Sequence, residues 1–144
     1  MTTRLVKRFK FLFTAGTLTA ILGSGLAATT PAAAASPVEC NSVEVIPITN
    51  GFEQRLPAYN NTAQDCYLLL GSRGPEVEAL QMSLKVCYDY GIAADGIFGP
   101  QTRSSLIAVQ KKIGVTVDGE YGYQTYSHMR WPYRLRSGGS WFCG

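Results

Sequence analysis

Histidine is almost missing from this chain: His128 stands alone among 144 residues. One imidazole cannot build a multi-histidine zinc centre. A mixed site would need a closely spaced cysteine pair, which Cys40, Cys66, Cys87 and Cys143 do not form. Cys–His nucleophilic catalysis would need a free thiol beside an oriented base, and an even cysteine count in a short exported chain reads instead as two disulfides. Acidic oxygens at alternate positions, which a hand-type calcium loop requires, are absent as well. The expectation is a protein with no metal, no cofactor and no catalytic centre, and His128 reads as a surface or packing residue.

Charge is also sparse. Charged residues make up 16% of the chain, and the net formal charge is +3. Four of the thirteen Lys and Arg (Arg4, Lys7, Arg8 and Lys10) precede residue 36, so the remainder carries nine against ten acidic residues. A body with net charge −1 has no basic footprint, which argues against a nucleic-acid partner. No apolar run is long enough to span a membrane. Phe11–Leu26 falls short of the roughly 20 residues required, and Gly16, Gly23, Ser24 and Gly25 interrupt it. Basic residues, then this apolar run, then Ala33-Ala34-Ala35 before Ser36 form a cleaved signal peptide, expected over residues 1–35. Pro37-Val38-Glu39 before Cys40 lacks the small apolar box of a lipoprotein. The expectation is an exported protein, free of the membrane after cleavage and monomeric.

What the chain does have is a loop used twice. Asp95-Gly96-Ile97-Phe98-Gly99-Pro100-Gln101-Thr102 returns 23 residues later as Asp118-Gly119-Glu120-Tyr121-Gly122-Tyr123-Gln124-Thr125, with five identities in eight positions and an aromatic at a sixth. Asp-Gly marks a turn, because Gly takes positive φ cheaply and Asp accepts bonds from nearby backbone N–H groups. The two Asp side chains therefore read as backbone acceptors rather than as a carboxylate pair for glycoside cleavage. Phe98 and Tyr121 turn back into a core, and the second Gly of each copy opens a helix.

Three helices are expected. Gly74-Pro75 starts the first, which runs to about Tyr90 before Gly91, with Glu76 and Glu78 in its positive first turn and Val77, Leu80 and Leu84 on one face. Gly99-Pro100 starts the second, striped by Thr102, Leu106, Val109 and Ile113 and ended by Gly114. The third starts at Gly122-Tyr123, holds Tyr126 and Met129, and stops at Trp131-Pro132. Packed together over Leu68, Ile92, Phe98, Tyr121 and Trp131, the three stripes make one core. Residues 36–65 read as an irregular arm, in which Pro47 limits Val43–Ile48 to an edge strand or none. Residues 132–144 read as a tail made flexible by Gly138-Gly139 and pinned by Cys143. Position relative to the repeats favours Cys66–Cys87 and Cys40–Cys143 as the disulfides, with the sequential pairing as the alternative.

Leu70-Gly71-Ser72-Arg73-Gly74-Pro75-Glu76-Val77, Ala79-Leu80-Gln81, the two Asp-Gly loops and Val109-Gln110 together resemble the peptidoglycan-binding domain, type 1, over about Cys66 to Trp131. The resemblance implies an all-α fold, a compact three-helix bundle over residues 66–131 that holds bacterial cell wall. Family members with a Cys at the start of the module and another at the end of helix one exist, and Cys66 and Cys87 fit that form. It also implies secretion, residence at the cell wall and peptidoglycan as partner, through glycan strands or stem peptides. Such a module usually accompanies a wall hydrolase; the expectation here is binding without an attached catalytic domain.

A wall binder needs aromatic platforms, amide or hydroxyl donors, and Arg for carboxylates. The candidates are Gln101, Arg103, Tyr123, Tyr126, Arg130 and Trp131, with Arg134, Arg136 and Trp141 added by the tail. Non-catalytic peptidoglycan binding is the leading expectation. The alternatives are a small cell-wall hydrolase or amidase, and a protein-interaction module of the inhibitory or propeptide kind.

Overall fold

The computed structural model describes residues 38–62 and 65–144. The expected signal peptide lies outside the described residues. Two 14-residue helices, α1 (Pro75–Tyr88) and α2 (Pro100–Ile113), begin with Pro directly after an extended or glycine-specific Gly. Proline fits there because its missing N–H would have no partner in the first turn. α1 stops two residues earlier than expected. Asp89, rather than Gly91, takes the left-handed conformation at φ 61°, and the N–H of Tyr90 returns to the carbonyl of Leu84. α2 ends at left-handed Gly114, as its pattern predicts. α3 is a short helix, Tyr123–His128, which leaves Met129, extended at the helix end, and Arg130 and Trp131 outside it before Pro132.

The core sits between these helices. Leu68, Val77, Leu80, Leu84, Leu106, Val109 and Tyr121 are wholly buried, and Phe98 is 1% exposed. Each such side chain contributes roughly 1.5–3 kcal/mol by leaving water. The segment before α1 clasps both repeated loops through backbone bonds. Leu68 exchanges two hydrogen bonds with Tyr121 (3.0 and 2.8 Å). Gly71 donates to the Phe98 carbonyl at 3.0 Å, Phe98 donates to the Ser72 carbonyl at 2.9 Å, and Gly74 donates to the Gly96 carbonyl at 3.0 Å.

The expected all-α bundle with an irregular arm and tail is not what forms. The three helices share the molecule with five strands: β1 (Val38–Glu39), β2 (Ser42–Pro47), β3 (Phe52–Ala58), β4 (Cys66–Tyr67) and β5 (Tyr133–Leu135). β1 pairs in parallel with β4. β2, β3 and β5 form an antiparallel sheet in that order, so the arm and the tail are paired strands. Val45 faces Arg55 across the first ladder, and Gln54 faces Tyr133 across the second. The sheet lies against α1. Pro47 ends an edge strand, where no ladder bond from its nitrogen is required. Arg136-Ser137 makes a turn, closed by the Gly138 N–H on the Leu135 carbonyl at 3.0 Å, after which Phe142 exchanges backbone bonds with Tyr133, both at 2.9 Å.

On one sheet face Glu53 accepts from Arg55 Nε at 3.3 Å and from Arg134 Nε at 3.1 Å. Burial pushes the Glu53 carboxyl up. The hydrogen bond from Arg134 and the positive charge of Arg55 outweigh it, so the group ends below its ordinary range.

The disulfides are also corrected. They join Cys40 to Cys66 and Cys87 to Cys143, the sequential pairing, rather than Cys66 to Cys87 and Cys40 to Cys143. The β1–β4 ladder sets Val38 opposite Cys66 and brings the Cys40 and Cys66 Cα atoms to 5.0 Å, while the returning tail brings Cys143 to the last turn of α1. Each bridge contributes on the order of 2–4 kcal/mol.

Candidate peptidoglycan-contacting surface

Two buried glutamines build the frame of this surface. Gln81, on α1, is 1% exposed, and Gln110, on α2, is fully buried. The amide nitrogen of Gln81 donates to Asp95 Oδ1 (3.0 Å), the Ile97 carbonyl (2.9 Å) and Thr102 Oγ1 (3.0 Å), while its oxygen accepts the Gly96 N–H at 2.9 Å. Gln110 repeats the set one copy later. It donates to Asp118 Oδ1 (2.7 Å), the Glu120 carbonyl (2.9 Å) and Thr125 Oγ1 (3.2 Å), and accepts the Gly119 N–H at 2.9 Å. Each amide has two hydrogens for three acceptors, so one is shared.

Asp95 and Asp118 also accept the N–H two residues on, from Ile97 and Glu120, both at 2.9 Å. They are local acceptors, as the turn chemistry predicts. The Ile97 N–H and then the Gln81 amide hold the Asp95 carboxyl below its ordinary value. Leu80-Gln81 and Val109-Gln110 stand in the sequence before each loop. A polar residue inside an apolar stripe was the available signal for this bracing role, which the residue pattern alone did not assign.

Beside the first loop lies a cleft of about 170 Å³, lined by Ile92, Ala93, Ile97, Pro100 and Gln101 among others. Gln101 and Gln124 occupy the same place in the two copies. Gln124 Oε1 accepts the Thr116 N–H at 3.2 Å, whereas Gln101 is exposed and its side chain has no hydrogen-bond partner among the described residues. Its amide is thus available at the cleft.

Beside the second loop the surface is aromatic. Tyr123, 60% exposed, lies 6.1 Å from Tyr126, which lies 6.0 Å from Trp131, which meets the buried Tyr121 edge-on at 6.1 Å. Trp131 Nε1 donates to the Tyr126 carbonyl at 3.2 Å, fixing the half-buried indole. Burial, then the charge of Glu44 and the neighbouring Tyr123, raises the Tyr126 phenol above its usual value, so it stays a neutral donor. The Tyr121 hydroxyl is buried without a partner among the described residues, and burial pushes its ionisation well up.

The two candidate arginines each have one donor committed. Arg103 Nη2 donates to the Asp118 carbonyl at 2.9 Å, across the second Asp-Gly turn. Arg130 Nη2 donates to the Cys87 carbonyl, and its guanidinium lies 5.5 Å from the Tyr88 ring centre. The structure therefore brings Tyr123, Tyr126 and Trp131 together, places Gln101 on a separate cleft, and ties Arg103 and Arg130 to neighbouring backbone. His128 is exposed, with Nδ1 at 2.9 Å from the Gln124 carbonyl. Among the described residues no three His, Cys, Asp or Glu side chains are grouped as metal ligands, and no helix is long and apolar enough to cross a membrane.

Comparison with known proteins places this frame. Residues 73–129 match the family model described as a putative peptidoglycan binding domain. No curated protein matches the chain. Among solved structures, the N-terminal domain of SleB is 35% identical, with 44% of this chain and 86% of that one covered, at a TM-score of 0.42. A Burkholderia AP3 phage endolysin is 36% identical, with 42% and 23% covered, at a TM-score of 0.41. A fused Zn-dependent amidase/peptidase/peptidoglycan-binding domain-containing protein from Clostridium acetobutylicum is 38% identical, with 42% and 27% covered, at a TM-score of 0.41. The chain thus spans about a quarter of the length of the last two.

Proposed function

We propose that this chain, whose residues 73–129 belong to the peptidoglycan-binding domain family, is a non-catalytic binder of the bacterial cell wall. The observation that carries the reading is that family match, falling on two loops that are braced alike and present their outer faces to solvent. The two disulfides fit an oxidising, extracellular setting, and the protein is read as exported and held at the wall.

The contact surface is assigned to the row Tyr123–Tyr126–Trp131 and to the cleft beside Gln101. Exposed aromatic faces receive the apolar side of a sugar ring, and a free amide bonds N-acetyl or peptide groups. Arg103 and Arg130 keep their remaining guanidinium hydrogens for stem carboxylates.

Sedimentation of the purified protein with isolated sacculi tests this. The expected result is co-sedimentation at low and moderate salt, weakened several-fold by Tyr123→Ala with little change in melting temperature. Protein left in the supernatant would refute it. A second reading, a role tied to wall hydrolysis, draws on the endolysin and the amidase among the similar structures. Release of soluble muropeptides by the pure protein would establish it, and none is expected.

A further inference from the structure

Outside the family-matched segment, the arm and the tail build a second cavity against α1. It has a volume of about 200 Å³. Val43 and Val45 of β2, Ala79 and Met82 of α1, and Trp141 of the tail line it. Two charged side chains also line it, Arg55 from β3 and Glu78 from α1.

The charged network of the sheet holds this cavity in shape. Glu53 binds both Arg55 and Arg134, and the Arg134 guanidinium lies 4.8 Å from the Trp141 ring centre. One carboxylate thus orients the cationic rim and, through Arg134, the aromatic wall. Glu78 is different. It is exposed, and among the described residues no cation lies within ion-pair distance of it.

An apolar slot between an arginine and an unpaired carboxylate complements a zwitterion whose opposite charges are separated by methylenes. The volume is below the roughly 300–1,000 Å³ of sites for drug-sized molecules, so it suits a single residue rather than an oligosaccharide. Its walls offer no Asn, Gln, Ser or Thr to meet a ring of sugar hydroxyls. We propose that this slot binds the chain-terminal diamino acid of a peptidoglycan stem peptide. Arg55 takes the terminal carboxylate through the guanidinium hydrogens not used on Glu53. Glu78 takes the ω-ammonium, and Val43, Val45, Met82 and Trp141 cover the methylene stem. This deepens the wall-binding reading and rests on it for the identity of the ligand.

The test is calorimetric titration of the full chain with a stem tripeptide ending in free lysine, run beside its Nε-acetylated form, its C-terminal amide and chitotetraose. The free tripeptide is expected to bind, with each blocked form about tenfold weaker, the loss of one charge-assisted contact. Glu78→Gln should weaken the free tripeptide by a similar factor and leave the weak binding of the acetylated form unchanged. Because the blocked peptides act on the unaltered protein, a variant that folds poorly does not decide the outcome.

Equal binding of free and acetylated tripeptide would overturn the proposal. So would chitotetraose binding that Trp141→Ala abolishes, or concentration-dependent dimerisation that the same variant abolishes. Retention on sacculi without tripeptide binding removes this slot and leaves wall binding standing. Tripeptide binding without retention on sacculi supports the slot and removes wall binding.

Discussion

The first Asp-Gly loop delivers the chain through Pro100 into the 14-residue α2, while the second delivers it through Tyr123 into the six-residue α3. Underneath, their wiring is the same. The positions identical in both copies are largely those the buried glutamine touches: Asp95 and Asp118, Gly96 and Gly119, Thr102 and Thr125. Ile97 and Glu120 differ because only their backbone takes part. The frame is therefore held constant by interior bonds, and the outward positions differ apart from Gln101 and Gln124. That difference produces an open cleft at one copy and an aromatic row at the other.

The most damaging way to probe this comparison is to empty the core behind each loop. Phe98→Ala and Tyr121→Ala should each cost about 3–5 kcal/mol in chemical denaturation. A Phe98→Ala variant melting within a couple of degrees of the parent would show that the first loop is not anchored by its aromatic.

Removing the brace comes next. Gln81→Ala and Gln110→Ala should each cost about 2–4 kcal/mol, because a Gly N–H, half-buried at Gly96 and buried at Gly119, loses its acceptor and a buried side chain is removed. The two values are expected within about 1 kcal/mol of one another if the networks are equivalent. A clearly smaller loss for Gln110→Ala would make the second loop the weaker copy.

Acid sharpens the first loop. The folded Asp95 carboxyl lies below its ordinary value of 3.8, so its contribution is present above that value and is lost as pH falls through the depressed one. Melting temperature should fall between about pH 5 and pH 2, and Asp95→Asn should flatten part of that slope. An unchanged slope in the variant would remove the assignment.

The smallest effect has the opposite sign. Tyr121→Phe converts the second loop to the aromatic of the first and removes a buried hydroxyl that has no partner among the described residues. Stability is expected to stay level or rise by up to about 1 kcal/mol. A loss larger than that would mean the hydroxyl is bonded in solution.

Of the candidate site, only the residue types were legible: Gln101, Arg103, Tyr123, Tyr126, Arg130 and Trp131 were candidates because aromatics, amides and arginines near the second and third helices suit a wall binder. Their separation into a cleft and a row was not legible, because it depends on which glutamine finds an inner partner: Gln124 reaches the Thr116 N–H, and Gln101 reaches none among the described residues. The slot between α1, the arm and the tail was hidden for a stronger reason. It needs β2, β3 and β5 assembled, and β3 (Phe-Glu-Gln-Arg-Leu-Pro-Ala) shows no clean alternation, while β5 has three residues.

Short-range chemistry, then, was written along the chain itself: Asp-Gly turns, Gly-Pro helix starts, apolar stripes and the two aromatics they enclose, each decided within a few residues by backbone sterics and local hydrogen bonding. The pairing of Phe52 with Leu135, the bond of Cys87 to Cys143 across 56 residues, and the meeting of Arg55 with Glu78 at one cavity were decided only in three dimensions. Partners that far apart in the chain leave no local mark. They are selected by which surfaces the collapsed core leaves within reach of one another.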